Sequence, residues 1–193
     1  MSISTEVIKQ LRDATGVSIM QCKKALEEAG GDIEKAKVIL QKYSKAAAEK
    51  KSDRTLGAGA IASYIHQGGK VGSLVELMCE TDFVSKNEEF QTLAKDIAMH
   101  IAALAPQFLR KEDIKEEDMV AAKEVYKEEI EGKPEDLKEK ILQGKLDAYF
   151  NEKTLLEQSF IKNPDKTIKL MLDEAIQKFG EKVEITRFTR YSI

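Results

Sequence analysis

Hydrophobic positions in the first 52 residues recur at three and four, the period of helices that bury one face. Val7, Ile8, Leu11 and Ala14 form one stripe, with Ser4 placed to cap it and Gly16 to end it in the left-handed region. Ser18 and Gln21 have the spacing of a capping box for a second helix, in which Ile19, Cys22, Ala25, Leu26 and Ala29 face inward until Gly30-Gly31. Asp32 caps a third helix bearing Ile33, Ala36, Ile39, Leu40 and Tyr43. From Ser44 to Gly59 the stripe is lost among Lys, Ala and Gly, which predicts a linker, helical at most at its start.

From Ala58 the period changes to two. Ala60, Ala62, Tyr64 and His66 fall on one face and Ile61, Ser63 and Ile65 on the other, before Gln67-Gly68-Gly69-Lys70 turns the chain into a second strand, Val71–Glu80. Asn87 then caps a long helix with Phe90, Leu93, Ala94, Ile97, Ala98, Ile101 and Leu104 on one side, closed by Pro106 and expected to cover the hairpin. Residues 112–136 hold eleven acidic residues against four lysines, with Val120, Val125 and Ile130 as a thin apolar stripe. They predict a charged helix that turns at Gly132-Lys133-Pro134 into another carrying Leu137, Ile141, Leu142, Leu146, Tyr149 and Phe150. A last helix, about Thr167–Phe179, ends at Gly180, and Val183–Ser192 alternates as a third strand. The pattern is that of an α+β protein. Residues 1–52 form three helices, and residues 53–193 form a core of a small antiparallel three-stranded sheet packed with helices, with a helical hairpin at about 112–153.

Composition narrows the function classes. With 42% hydrophobic residues and a net charge of −3 over 193 residues, the chain is neither disordered nor collagen-like, and no stretch approaches the roughly 20 apolar residues of a membrane span. The acidic balance gives no electrostatic footprint for direct nucleic-acid binding. Lys42, Lys45, Lys50, Lys51 and Arg54 make a basic linker, but no aromatic stacking platform accompanies them. Cys22 and Cys79 are far apart and outside any Cys/His cluster, so neither a disulfide framework nor a metal site is expected, and a cytoplasmic location fits.

Enzyme motifs fail on inspection. Gly68-Gly69-Lys70-Val71 lacks the Ser or Thr and the first Gly of a phosphate loop, and Gly57-Ala58-Gly59 opens no helix. His66 and His100 have no carboxylate or thiolate cluster near them in sequence. No catalytic residue, cofactor or metal is expected. The segment that resists a structural explanation is Glu80-Thr81-Asp82-Phe83-Val84-Ser85-Lys86-Asn87, expected as a short polar loop between the second strand and the cap of the long helix. Spacing leaves two roles open for Phe83: a staple tucked under its own helix, or a side chain displayed for binding on a rigid scaffold.

Thr81-Asp82-Phe83-Val84 resembles the signature of bacterial elongation factor Ts, the guanine nucleotide exchange factor for elongation factor Tu. Leu11-Arg12-Asp13-Ala14-Thr15-Gly16-Val17, Met20-Gln21-Cys22-Lys23-Lys24-Ala25-Leu26 and Gly30-Gly31-Asp32-Ile33-Glu34-Lys35-Ala36 are similar to that family's first domain. Ala98-Met99-His100-Ile101-Ala102-Ala103, Leu155-Leu156-Glu157-Gln158-Ser159-Phe160 and Thr186-Arg187-Phe188 extend the likeness in order over nearly the whole chain.

The resemblance implies a ubiquitin-associated-like three-helix domain that grips the nucleotide domain of GDP-bound elongation factor Tu. It implies an exchange tip of Thr81, Asp82, Phe83 and Val84, with Arg12, Met20, Lys23 and His100 as partner-binding residues. The chain looks like the short, single-core-copy type, without the further module of long members. A homodimer is expected, because a single small sheet leaves two edges to pair. The competing class is a plain interaction adaptor that uses the three-helix domain alone.

Overall fold

The computed structural model describes residues 3–130 and 134–193. The elements run α1 (Thr5–Thr15), α2 (Ile19–Glu28), α3 (Ile33–Glu49), β1 (Ala58–Ile65), β2 (Val71–Cys79), α4 (Asp82–Ser85), α5 (Glu88–Leu104), α6 (Glu116–Ile130), α7 (Glu135–Lys153), β3 (Ser159–Phe160), β4 (Asn163–Thr167), α8 (Ile168–Phe179) and β5 (Val183–Ser192). A three-stranded sheet has the order β1-β2-β5, and β3 pairs with β4 antiparallel, Ser159 opposite Thr167 and Phe160 opposite Asn163. The α+β architecture, with its three helices ahead of a small sheet packed with helices, is as the sequence pattern predicts.

The chain gathers into two compact units, one of Met1–Ala62, Glu76–Lys95 and Lys169–Thr186, the other of Ser63–Val75, Asp96–Ile168 and Arg187–Ile193. In the first, α1, α2 and α3 enclose Leu11, Val17, Cys22, Ala25, Leu26, Ala36 and Leu40. The helix starts follow from their caps: Ser4 accepts from the Val7 N–H, Ser18 from Gln21 and Asp32 from Lys35. Gly16 stops α1 at φ 67°, its N–H donating to Arg12 O at 2.7 Å. Helix α3 continues to Glu49, well into the stretch expected as linker, because Ala46, Ala47 and Ala48 favour helix and Ser44 is buried. Ser44 Oγ donates to Gln177 Oε1, and Gln177 Nε2 donates to Gln21 Oε1 at 3.0 Å, so α8 bridges α2 and α3. The remaining linker is fastened down as well: Gly57 N–H donates to Cys79 O, and Lys182 Nζ to Ser52 O at 2.7 Å.

In the second unit, the expected hairpin turn forms at residues 66–71, with Gly68 and Gly69 at φ 92° and 71° and the His66 N–H bonded to Val71 O. Ser73 Oγ donates to Ala98 O at 2.5 Å, which lays α5 against β2. Helices α6 and α7 pack through buried Ala122, Leu146 and Phe150 with Phe108, Met119, Tyr126 and Tyr149 around them.

This corrects the expected stripe, since Val120 and Val125 lie exposed and the inner face follows Met119, Ala122 and Tyr126. Of the expected turn between these helices, Gly132 and Lys133 lie outside the described residues. Strands β3 and β4 had no period to reveal them, one being two residues long and the other reading Asn-Pro-Asp-Lys-Thr. Among the described residues no helix is long and apolar enough to cross a membrane.

Candidate partner-binding site

Strand β2 delivers the chain to the segment that the sequence singles out. Its last residue, Cys79, is fully buried, and burial with the Glu181 charge nearby pushes the thiol up to about 11, so it stays protonated and donates to Thr81 O at 3.2 Å. Glu80 accepts from the Lys182 N–H at 2.5 Å and from the Arg54 guanidinium at 3.2 Å; these bonds, the Lys182 amide foremost, hold its carboxyl below the usual range. Thr81 is extended and donates both its N–H, at 3.0 Å, and its hydroxyl, at 2.5 Å, to the Glu181 carboxylate.

Residues 82–85 form one turn of helix rather than the polar loop expected. Val84 and Ser85 are buried and anchor it, and Gln91 Nε2 donates to Ser85 O at 2.6 Å. Asn87 Oδ1 accepts from the Glu89 N–H as α5 starts. The Asp82 carboxylate takes the Lys86 ammonium at 2.6 Å, which holds its pKa down. Phe83 stands 87% exposed, so it does not staple its own helix. Within the signature, then, Thr81 is the braced base, Asp82 the paired charge, Phe83 the displayed aromatic and Val84 the anchor.

Three of the other predicted residues lie on the surface of the three-helix body. Met20 is 74% exposed. Arg12 sits 3.6 Å from Asp13 and Lys23 3.8 Å from Glu27, both open to solvent, where such pairs contribute about 0–1 kcal/mol.

His100 is different: it lies in the other compact unit and is 0% exposed. Its Nδ1 accepts from the Ile161 N–H at 3.3 Å, which places the ring proton on Nε2, and that atom donates to Gln158 Oε1 at 3.0 Å. The Gln158 amide completes the chain by donating to Glu152 O at 2.6 Å. Burial pushes the His100 pKa down, so the ring is neutral.

Sequence reasoning missed the residues that brace the turn. Glu181 lies 100 positions from Thr81, and no local periodicity marks it. The one available signal was its place just after Gly180, the left-handed residue at φ 73° that ends α8 and turns the chain toward β5. Among the described residues no group of three or more His, Cys, Asp or Glu could hold a metal ion.

A turn of helix that uses its inner side for anchorage and its outer side to hold out an aromatic has the construction of a docking element. The family model described as Elongation factor TS matches residues 44–193, and that of a UBA-like domain matches residues 2–42. Elongation factor Ts of Thermosipho melanesiensis is 49% identical over 99% of this chain and 98% of its own length. Elongation factor Ts of Thermodesulfovibrio yellowstonii is 50% identical over 100% and 97%, and that of Desulforamulus reducens 49% over 99% and 89%. The chain belongs to the elongation factor Ts family and is a translation elongation factor.

Proposed function

We propose that this chain is the guanine nucleotide exchange factor for elongation factor Tu, binding its GDP form and promoting GDP release by disturbing the magnesium and phosphate site. The observation that carries this reading is Phe83, held out on a braced turn within the Thr81–Val84 signature. A nucleotide held through magnesium and a phosphate-cradling loop loses affinity when either moves by about an ångström, because charge-assisted contacts depend steeply on geometry. Phe83 is the apolar wedge and Asp82 the competitor for polar groups of the partner. Exchange needs no covalent step, so the protein acts as a factor on a partner GTPase. A tip that loosens the nucleotide is itself loosened by it, which lets the factor turn over.

Arg12, Met20 and Lys23 supply affinity from the three-helix body. The long, solvated pairs of Arg12 and Lys23 exchange readily for acidic groups of the partner, and Met20 offers adaptable apolar surface. His100, buried, contributes from within by fixing Gln158 and Ile161. We further propose that the protein works in the cytoplasm as a homodimer. The test of the central reading is stopped-flow release of fluorescent GDP from elongation factor Tu. Strong acceleration by the chain is expected, and binding without acceleration would identify an adaptor instead.

A further inference from the structure

We infer that Glu181 is a positioning residue for the tip: together with Glu80 it forms a reciprocal clasp that fixes the direction in which Phe83 points. The inference rests on the tip reading above.

Two short segments, Glu80-Thr81 and Glu181-Lys182, lie side by side. Each supplies one carboxylate and one backbone donor to the other: Glu80 takes the Lys182 N–H, and Glu181 takes the Thr81 N–H. The Thr81 hydroxyl adds a second bond to Glu181. That hydroxyl is the significant one. A Thr ahead of a helix ordinarily turns its oxygen back to accept from the first turn, yet Thr81 makes no such cap. It donates away from α4 to a side-chain carboxylate on a segment distant in sequence.

A turn of four residues cannot hold its own shape, because helix nucleation is unfavourable. Its direction must come from its ties. Val84, Ser85 and Gln91 fix the side and the end of the turn, whereas Glu181 grips Thr81, the residue at its start, through both its backbone N–H and its side-chain hydroxyl. Glu181 in turn is set by the end of α8, where Gly180 donates its N–H to Ile176 O at 3.0 Å. The clasp therefore couples the tip to a helix distant in sequence.

The sequence contains no Trp, so Phe83→Trp creates a single fluorescent reporter at the tip. In that background, Glu181→Ala is expected to lower the time-resolved anisotropy of the indole in the free protein. With Phe83 restored, Glu181→Ala is expected to cut the maximal rate of GDP release by about tenfold while the half-saturating concentration changes less than about twofold. Glu181→Gln is expected to restore most of both, because its amide can accept from the Thr81 N–H and donate to the Thr81 oxygen. Unchanged anisotropy in Glu181→Ala would overturn the inference, whatever the exchange rate. So would an exchange defect that Glu181→Gln fails to repair. Phe83→Ala, run alongside, tests the tip reading separately: if it exchanges GDP normally that reading falls, while the anisotropy still decides whether Glu181 holds the tip.

Discussion

Phe83 and His100 show how differently two residues singled out by one resemblance can be used. Phe83 buries little of its surface, so Phe83→Ala is expected to change stability by no more than about 0.5 kcal/mol. The same change is expected to slow stimulated GDP release about tenfold, a loss of roughly 1.4 kcal/mol of coupling between factor and nucleotide. Thermal unfolding and stopped-flow release on the same preparation check both halves. Spacing alone left Phe83 open between staple and display, because a residue at the start of a helix can pack under it or away from it. What decides is the burial of Val84 and Ser85 next to it, a tertiary fact.

His100 carries a pH dependence of definite sign. Its folded pKa is depressed by burial below the unfolded value of about 6.5. Above that value the ring is neutral in both states and the stabilisation is fully present. As pH falls through the window below 6.5, the unfolded chain takes up a proton that the folded one refuses, and stability declines by at most about 1.4 kcal/mol per pH unit until the folded pKa is reached. Protonation also abolishes the acceptor for the Ile161 N–H. Urea midpoints from pH 7.5 down to 5.5 should therefore fall more steeply for the native chain than for His100→Gln, which has no proton to gain.

At the scale of elements, the caps and breaks were the legible part. Ser4, Ser18, Asp32, Gly16 and the Gly68-Gly69 turn act where their chemistry requires, because these signals are local and backbone-encoded. The inner face of α6 was not legible. Val120 and Val125 drew the stripe toward themselves, whereas the contact with α7 centres on Ala122, a small side chain whose value lies in close approach rather than apolar area. The difference is measurable. Ala122→Asp places a charge without a partner in a site 3% exposed and is expected to cost about 3 kcal/mol or more, seen as lost protection of α6 and α7 in hydrogen exchange. Val125→Asp, on the open face, is expected to stay within about 0.5 kcal/mol of the native chain. Strands β3 and β4 were invisible for a related reason. Their pairing is held by Gln158, which accepts the Ile168 N–H on its backbone oxygen and takes His100 on its side chain. Neither contact leaves a period in the sequence.

For the whole molecule, the feature that bears on assembly is the open three-stranded sheet. In the order β1-β2-β5 the two outer strands each have one side unpaired within the sheet, and such edges invite another chain unless they are guarded. Strand β5 carries Glu184, Arg187 and Arg190, whereas charge does not guard β1. Strand β1 reads Ala-Gly-Ala-Ile-Ala-Ser-Tyr-Ile, with no charged residue or proline, and it leaves Ile61 and Ile65 exposed on one face. On β2, Leu74 is exposed, and near the end of β5 so is Tyr191. Scattered single apolar residues on a surface call for no explanation, but two on one edge strand with a third on its neighbour are costly to leave in water. In the homodimer proposed above, a second copy about a two-fold axis would cover them with the same residues of its partner, since such an interface is self-complementary. Sedimentation equilibrium at micromolar concentration is therefore expected to return a dimer. Ile65→Lys, whose site at 66% exposure contributes little to the fold of one chain, is expected to weaken self-association at least about tenfold. The native protein should unfold at a temperature that rises with its concentration, and the variant should lose that dependence in the micromolar range while keeping its circular dichroism spectrum. A native chain that sediments as a monomer and exchanges GDP at the full rate would mean that the open sheet serves the fold without a second copy.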